Sequence, residues 1–323
     1  MLAAMNILPD FSYSDMDLFT IDYIHYHKND LDFYFIRNTT DQWVSRNCSF
    51  RQQNKVPALW NPVTGDIIDA SVFNQDNSHI NLPVTLPPFG SMFVVFRPGS
   101  SGSQFTGIDN EGHPPLLDYQ GDGICFWDEG IIKMTTADQP RSINNHIRIQ
   151  TLEGAWELFF PGGWGAPERV ILPELTSWTG IDNDGIKYFS GTATYRKTFQ
   201  YDINSSALDQ QKIYLDLGDL SNVGEAWLNG ESLGIVWTKP YRYDISDIII
   251  PGDNLLVVEA ANTWSNRIVG DAIRGEKYTS TNVTSTNIKG LNKLQIPWAS
   301  VPLIESGLFG PVKIITLKPV NCL

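Results

Sequence analysis

The alternation of apolar and polar residues that begins at Ile213 limits the fold of this chain most strongly, because side chains with a two-residue period indicate a β-strand. Leu215 and Leu217 continue the alternation, so one face of this strand is apolar. Further along, Asn229-Gly230 offers the positive φ angles that a two-residue hairpin turn needs. The segment is therefore predicted to be an antiparallel β-module.

The rest of the chain also has the pattern of short strands separated by turns. A turn at 251–254 precedes the apolar run 255–258, which we expect to be buried on both faces of its strand. Amphipathic helical periodicity is nowhere sustained over three turns. An all-β fold is predicted, with further strands at 19–26, 32–37, 45–50, 80–86, 91–96, 124–127, 131–135, 146–150, 155–160, 191–199 and 312–317.

The length of 323 residues suffices for two all-β domains, each with its own core. A small and polar Pro-Gly-Ser segment at 98–103 is the clearest linker. We therefore predict an antiparallel β-sandwich domain over 1–98, a linker over 99–118 and a second β-sandwich domain over 119–323.

The formal net charge of -13 argues against partners that are themselves anionic. Nucleic acid and membranes are not expected partners, and no segment approaches the roughly 20 apolar residues of a membrane span. Neutral glycans carry no charge to repel. The aromatic content of 12% suits sugar stacking and sandwich cores equally well.

The cysteines and histidines do not form a recognisable metal motif. Cys48, Cys125 and Cys322 lack both the number of a disulfide framework and the spacing of a metal site. His25 and His27 would share one face of a strand, as a metal pair requires, but no third ligand lies nearby in the sequence. A structural role for the two histidines is favoured.

The second predicted domain carries segments typical of sugar-binding proteins. Asn-Arg-Ile-Val-Gly-Asp at 266–271 and Ser-Gly-Leu-Phe-Gly-Pro at 306–311 are the most specific of them. Broader elements lie at 189–199, 215–218, 226–230, 233–234 and 262–265. On these residues the domain resembles the galactose-binding-like jelly roll of glycoside hydrolases, including the sugar-binding domain of family 2. More narrowly, it is similar to the C-terminal region of the α-L-rhamnosidases of glycoside hydrolase family 106.

The resemblance extends to the first predicted domain, through residues 23–25, 32–35, 48–51, 59–65 and 90–96. Tyr26 departs from the basic residue expected after His25. The resemblance implies that the catalytic carboxylates and a calcium-dependent sugar site lie on a (β/α)₈ barrel, which takes about 250 residues and is not in this chain. No catalytic residue is therefore assigned, and the chain is expected to be inactive alone.

Seven residues in the second domain are candidates for carbohydrate binding. Rings at strand ends or in loops could stack on apolar sugar faces, while neighbouring polar side chains bind hydroxyls. The alternative is burial in the core or against a barrel, and Arg267 with Asp271 could equally form an internal ion pair. The candidates are Trp237, Tyr241, Trp264, Asn266, Arg267, Asp271 and Trp298.

Asp182-Asn183-Asp184-Gly185 resembles the start of a calcium loop, with alternating oxygen ligands and a turn glycine. The sequence lacks the distal acidic ligand of a full loop, and a plain Asx turn is the favoured alternative. A structural calcium held by Asp182 and Asp184 is nevertheless a hypothesis, and no other cofactor is expected.

The expected function is that of an accessory, non-catalytic region of a rhamnosidase-like glycosidase, which supports or supplements a glycan site on a barrel. The expected ligand is a plant-type glycan, including rhamnose-containing ones. Two alternatives stay open: a free-standing glycan-binding module, and a structural remnant of a truncated glycosidase gene. No signal peptide is evident near Met1, so periplasmic or secreted localisation would follow only from an exported parent.

Overall fold

The computed structural model describes residues 8–15, 19–99, 105–120, 123–136, 139–202, 211–275, 279, 285–287 and 295–321. The chain divides into two compact units. Unit 1 comprises Met1–Arg148, Gln210–Lys212 and Thr316–Leu323, and unit 2 comprises Ile149–Asp209 and Ile213–Ile315. Both consist mainly of β-strands, which confirms the predicted fold class.

The strands of the described residues range from two to ten residues, and the helices are few. In chain order the strands are β1 (Phe11–Tyr13), β2 (Ile21–Lys28), β3 (Leu31–Asn38), β4 (Val44–Phe50), β5 (Lys55–Trp60), β6 (Ile67–Asp69), β7 (Asn74–Gln75), β8 (Ile80–Leu86), β9 (Ser91–Pro98), β10 (Gly107–Asp109), β11 (Leu117–Gln120), β12 (Gly123–Phe126), β13 (Gly130–Thr135), β14 (Arg141–Asn145), β15 (Arg148–Thr151), β16 (Trp156–Phe159), β17 (Arg169–Leu172), β18 (Thr192–Tyr201), β19 (Lys212–Asp216), β20 (Asp219–Leu220), β21 (Val223–Leu228), β22 (Glu231–Val236), β23 (Arg242–Asp244), β24 (Gly252–Ala261), β25 (Ser285–Asn287), β26 (Gln295–Pro297), β27 (Leu308–Gly310), β28 (Lys313–Leu317) and β29 (Val320–Asn321). The helices are α1 (Asp184–Lys187), α2 (Ser265–Arg274) and two 3₁₀ segments, Trp178–Gly180 and Trp298–Ser300. Among the described residues, no helix has the length and apolar character needed to cross a bilayer.

The described residues of unit 1 form four sheets around one hydrophobic core. Their strand orders are β1-β4-β8-β7, β2-β3-β9-β5-β6, β10-β13-β14 and β11-β12-β29. This core contains a side chain from each sheet: Phe50 on β4, Phe96 on β9, Met134 on β13 and Phe126 on β12. Since side chains from all four sheets pack together, the unit folds around a single apolar interior.

The division between the units differs from the predicted linker at 99–118. β10 lies within that segment and β11 begins in it, and both Ile108 and Leu117 belong to the core of unit 1. The Leu117 amide also donates a hydrogen bond to Thr85 Oγ1 over 3.0 Å. Because the segment packs onto the first sandwich, the compact unit continues to Arg148.

Unit 2 is a jelly-roll sandwich with two main sheets. The larger has the order β17-β16-β18-β24-β21-β22 and the smaller the order β15-β28-β19-β23. The core draws on both: Tyr195 and Leu256 come from the larger sheet, Leu215 and Ile314 from the smaller. This arrangement agrees with the predicted galactose-binding-like jelly roll.

The predicted hairpin is confirmed, whereas the predicted two-sided burial of 255–258 is wrong. Leu228 pairs with Glu231, so Asn229 and Gly230 alone make the turn, with φ angles of 54° and 89°. Leu255 is 44% exposed, because the six-stranded sheet buries one face and leaves the other to solvent.

Candidate functional site

Connections at one end of the six-stranded sheet of unit 2 carry most of the candidate residues. The first residue of β18, Thr192, pairs with the last residue of β24, Ala261. Val223, which begins β21, also pairs with Ala261, and the neighbouring Gly224 pairs with Val236 at the end of β22. The segments that follow β16, β24 and β22 therefore leave the sheet at the same end.

Two tryptophans from these connections form an aromatic pair. The rings of Trp164 and Trp264 lie 5.8 Å apart between centroids and are inclined by 53°. Trp264 is 50% exposed, and Trp164 is partly buried. Trp164 is not among the residues predicted from sequence. The signal for it is a tryptophan between two glycines, Gly163 and Gly165, whose positive φ angles turn the β16–β17 connection.

Arg267 supports this pair from inside the unit. Its guanidinium carbon lies 5.5 Å from the centroid of the Trp164 ring, a cation–π contact. Its Nη1 donates to the Trp164 carbonyl over 2.8 Å, and its Nε lies 3.6 Å from Asp271 Oδ1. The residue is 3% exposed. Arg267 therefore positions Trp164 and is not placed to contact a ligand directly.

The other two polar candidates, Asn266 and Asp271, are bonded within the chain. Asn266 Nδ2 donates to the Ile304 carbonyl over 2.6 Å and to Ser306 Oγ over 3.0 Å, and its Oδ1 accepts from the Ile304 amide over 2.8 Å. Asp271 Oδ2 accepts from the Thr279 amide over 2.9 Å. Through these hydrogen bonds the two side chains attach the segment around Ile304 and Ser306, and also residue 279, to α2. Their role is therefore to hold the backbone around the aromatic pair.

Helix α2, which carries these residues, was not predicted from the sequence. Its buried positions are Asn266, Arg267, Val269 and Gly270. Only one of these has a large apolar side chain, so the usual hydrophobic signal of a helix is missing. Gly270 permits close packing, because a Cβ there would lie 2.6 Å from the Cβ of Tyr188.

The remaining aromatic candidates divide between surface and core. Trp237 is 60% exposed and follows β22 at the same end of the sheet as Trp264. Trp298 lies in the second 3₁₀ segment, packs near α2 and is partly exposed. Tyr241 belongs to the hydrophobic core, where burial raises the pKa of its hydroxyl. Tyr241 therefore packs in the core, which is the alternative given for these rings.

The proposed calcium donors lie at the turn that begins α1. Asn183 caps α1 by accepting a hydrogen bond from the Ile186 amide over 3.2 Å, as in the Asx-turn alternative. Asp184 Oδ2 lies 3.1 Å from Arg274 Nη2, and Asp182 is exposed on the turn. Among the described residues, no group of three or more His, Cys, Asp or Glu could hold a metal ion. Calcium binding by Asp182 and Asp184 stays a prediction, and the Asx turn is the arrangement that the structure describes.

A second charged cluster surrounds Asp32 in unit 1. His25 Nε2 and His27 Nδ1 lie 2.8 and 3.0 Å from Asp32 Oδ1, and Lys55 pairs with Asp32 Oδ2. The other ring nitrogen of His25 lies 2.9 Å from Asp10 Oδ2. Burial raises the pKa of Asp32, but hydrogen bonds from Lys55, His25 and His27 outweigh it and hold the pKa at about 2. Both histidines therefore have carboxylate partners, in line with a structural role.

The cysteines of the described residues are core thiols. Cys48 and Cys125 are both buried. Burial raises the pKa of the Cys48 thiol, which disfavours the reactive thiolate. Cys322 lies outside the described residues.

Comparison with known proteins relates each unit to carbohydrate enzymes. Residues 1–74 match the family model of the alpha-L-rhamnosidases of glycoside hydrolase family 106. Residues 180–299 match the model described as the galactose-binding-like domain of glycosyl hydrolase family 2. Both units are related to glycoside hydrolases. The resemblance inferred from the sequence is thereby confirmed.

Two individual proteins illustrate the relationship. A rhamnosidase from Novosphingobium sp. PP1Y superposes with a TM-score of 0.71 and 28% identity, over 98% of this chain and 26% of that one. A putative beta-glucuronidase from Formosa agariphila is 36% identical over 181 residues, which are 51% of this chain and 15% of that protein. The chain thus spans about a quarter or less of the length of either protein.

Proposed function

We propose that this chain is a non-catalytic, carbohydrate-associated region of a rhamnosidase-like glycoside hydrolase. It would support or supplement a glycan site on a catalytic barrel, in the same protein or a separate one. Support comes from the two family matches and from the similarity of nearly the whole chain to 26% of a rhamnosidase. The remaining three quarters of such a protein offer room for the catalytic machinery.

The observation that carries the proposal is the Trp164–Trp264 pair. Sugars present apolar C–H faces that stack on indole rings, and inclined rings can hold one residue from two sides. Arg267 fixes Trp164 from the buried side, while half of Trp264 faces solvent. The ligand class that fits is a glycan with an apolar face, including one that contains the 6-methyl group of rhamnose.

The acidic residues beside the pair support a non-catalytic role. Glycosidases that use two carboxylates need both of them to face the scissile bond. Asp271 is bonded to the Thr279 amide and lies beside Arg267, and Asp184 pairs with Arg274. These contacts hold α1, α2 and residue 279, which gives both carboxylates a structural role.

The test is titration of the purified chain with L-rhamnose and rhamnose-containing oligosaccharides, followed by NMR of the indole N–H groups. We expect shifts at Trp264 and Trp164, and roughly a fivefold loss of affinity in Trp264→Ala, since stacking on one ring contributes about 1 kcal/mol. Trp43→Ala in unit 1, where Trp43 is 38% exposed, is the matched control and should bind normally. The proposal fails if rhamnosides are hydrolysed by the chain alone, or if neither indole responds to any of the sugars.

A free-standing glycan-binding module is the second candidate, favoured by the exposed Trp237. Trp237 lies two strand positions from β24 in the sheet, about 10 Å away at ordinary strand spacing. A longer glycan could therefore reach from Trp264 to Trp237. This candidate predicts that affinity rises with oligosaccharide length and that Trp237→Ala removes the gain, while monosaccharide binding stays unchanged. Length-independent affinity would contradict it.

A further inference from the structure

The outward face of the five-stranded sheet in unit 1 carries a continuous apolar row. Ile24 pairs with Phe35, Phe35 with Phe93, Phe93 with Trp60, and Trp60 with Ile67. Because cross-strand partners project from the same face, these five side chains form one row across all five strands. We call them the outer row. The alternate residues of β3 and β9 point the other way, into the core.

The outer row is accessible, although its members shield one another. Ile24 and Ile67, at its two ends, are 69% and 58% exposed. Phe35, Phe93 and Trp60, between them, are each partly buried, and the Phe35 and Phe93 rings lie 4.9 Å apart. An exposed apolar patch of this kind marks an interaction surface.

A second row and a groove enlarge this face. Tyr26 pairs with Phe33, and Tyr26 is 60% exposed. On the β2 side, Ile24 and Phe35 also line an open groove of about 550 Å³ that continues to Phe19, which is 77% exposed. The apolar surface therefore extends beyond the outer row in two directions.

The net charge of this face is opposite in sign to the net charge of the chain. Two carboxylates and three basic groups project outward from its strands, giving a charge of about +1 on a chain whose net charge is -13. Asp22 pairs with Arg37 and Asp69 pairs with Arg97, and the fifth group is Lys28. Two copies that approach through this face would therefore not place two negatively charged surfaces against each other.

We propose that the outer face of this sheet binds a second copy of the chain, in an isologous sheet-on-sheet dimer. Five strands about 4.8 Å apart and about 20 Å of strand length give roughly 500 Å² per copy. The total of about 1,000 Å² is at the lower limit of specific interfaces, which predicts a reversible dimer. Two twisted sheets with matching apolar faces pack about 10 Å apart, and the paired charges at the rim can also pair across a twofold axis.

A glycan is a poorer occupant for this face than a protein surface. Sugar-binding platforms present ring faces to the ligand, but the Phe33 and Trp60 rings meet at 81°, edge against face. The inner members of the outer row are also partly covered by their neighbours. The shape is that of an apolar sheet surface, complementary to another of the same kind.

Sedimentation velocity over a concentration series tests the proposal. We expect a monomer–dimer equilibrium in the micromolar range, with a dissociation constant that rises about 100-fold in the double variant Ile24→Lys, Ile67→Lys, because lysine charges would be desolvated at both ends. Ile131→Lys is the matched control: Ile131 is 60% exposed on β13 of the same unit and lies in a different sheet. Raising the salt concentration should tighten the dimer, since the apolar contact persists while net repulsion is screened.

Two outcomes would overturn the proposal. One is a wild-type chain that stays monomeric to about 200 µM, well above the range expected for an interface of this size. That result would mean that the face binds something other than a second copy, such as the remainder of a rhamnosidase-type enzyme. The other is a dimer that Ile131→Lys weakens as much as the double variant does. Thermal unfolding of the double variant and of Ile131→Lys verifies that the substituted chains are folded.

Discussion

The two units use aromatic side chains in different ways. In unit 1 the outer row follows the register of five strands, so each ring is positioned by its cross-strand neighbours. In unit 2 the rings of Trp164 and Trp264 extend from connections, and a buried Arg267 holds one of them. Strand-borne rings make a broad, flat surface, whereas loop-borne rings make a small, angled one. The first is the surface that we propose binds a protein, and the second is the one that we propose binds a sugar.

The buried charged residues of the two units, Asp32 and Arg267, also differ in what they hold together. Asp32 of unit 1 sits on β3 and bonds to side chains of β2 and β5, so it joins strands of one sheet. Arg267 of unit 2 sits on α2 and bonds to the Trp164 carbonyl in a loop. Removing the first should affect a sheet, and removing the second should affect a site.

Gly307→Ala should have the largest effect and should be confined to unit 2. A Cβ at Gly307 would lie 2.5 Å from both Trp178 Nε1 and the Tyr195 hydroxyl, at a φ of 100°. These two groups share a buried hydrogen bond of 2.6 Å, so the core cannot relax cheaply. We expect a loss of more than about 4 kcal/mol. Peptide-resolved hydrogen exchange should show unit 2 unprotected while unit 1 peptides retain their protection.

Gly252→Ala is the matched control for that variant. Gly252 also lies in unit 2 with a positive φ of 92°, but a Cβ there meets nothing within 4 Å. Gly252→Ala should lower the free energy of unfolding only through the strain of an alanine at positive φ, by about 1 kcal/mol. Equal losses in the two variants would mean that the Trp178–Tyr195 contact does not organise the core of unit 2.

Asp32→Ala should have the next largest effect and should be confined to unit 1. The Asp32 side chain is 7% exposed, and its removal leaves Lys55, His25 and His27 without their shared partner. Breaking a buried pair from one side costs about 3–5 kcal/mol. Denaturant unfolding followed by hydrogen exchange in unit 1 peptides measures the loss.

Asp22→Ala serves as the exposed counterpart of Asp32→Ala. Asp22 pairs with Arg37 across the same two strands, but both side chains are about 60% exposed. A surface pair of this kind contributes about 0–1 kcal/mol. Similar losses in both variants would show that burial of Asp32 is not what makes its contacts strong.

The fold was predictable from the sequence where side-chain period and turn chemistry agree. The Asn229-Gly230 hairpin and the buried set Ile213, Leu215 and Leu217 follow from local residues alone. The strand 255–258 was predicted as buried on both sides, because its apolar residues do not reveal that one face of the sheet is open. Exposure of a sheet face is decided by tertiary packing, which single-strand patterns do not contain.

The candidate site was predictable in part. Trp264 and the motif that includes Arg267 were selected by resemblance, but the position of that motif on a helix was not, because Asn266 and Arg267 occupy its buried face. Trp164 was missed because a single tryptophan in a glycine-rich loop has no periodic neighbour. The boundary at Arg148 was missed because a Pro-Gly-Ser segment indicates flexibility locally, while the pairing of β10 with β13 depends on residues about 25 positions away.

The acid stability of unit 1 should depend on Asp32. Its pKa is lowered to about 2, so its contribution is fully present above the ordinary value near 4 and is lost as the pH falls toward 2. The shift corresponds to about 2 kcal/mol of pH-dependent stability. Asp32→Asn should make unit 1 less sensitive to acid over this range, as measured by urea unfolding at a series of pH values.

A second carboxylate must be considered in that measurement. Hydrogen bonds from the Ser78 and His79 amides also lower the pKa of Asp76, in unit 1, to about 2. Asp76→Asn is therefore the comparison variant, and Asp76 differs from Asp32 because it lies on the surface. If Asp76→Asn flattens the pH dependence as much as Asp32→Asn, the buried cluster is not the principal acid-sensitive element.

Arg267→Lys should have the smallest effect, and that effect should appear in glycan binding. Lysine keeps the positive charge but loses the planar contact with the Trp164 ring and the Nη1 bond to the Trp164 carbonyl. We expect a three- to tenfold weaker affinity for rhamnose-containing oligosaccharides, about 1 kcal/mol, together with altered indole signals. Arg274→Lys, on the same helix but paired with the exposed Asp184, should leave the affinity unchanged. If Arg267→Lys binds normally, the loop glycines alone hold Trp164, and the two units position their rings through backbone geometry in both cases.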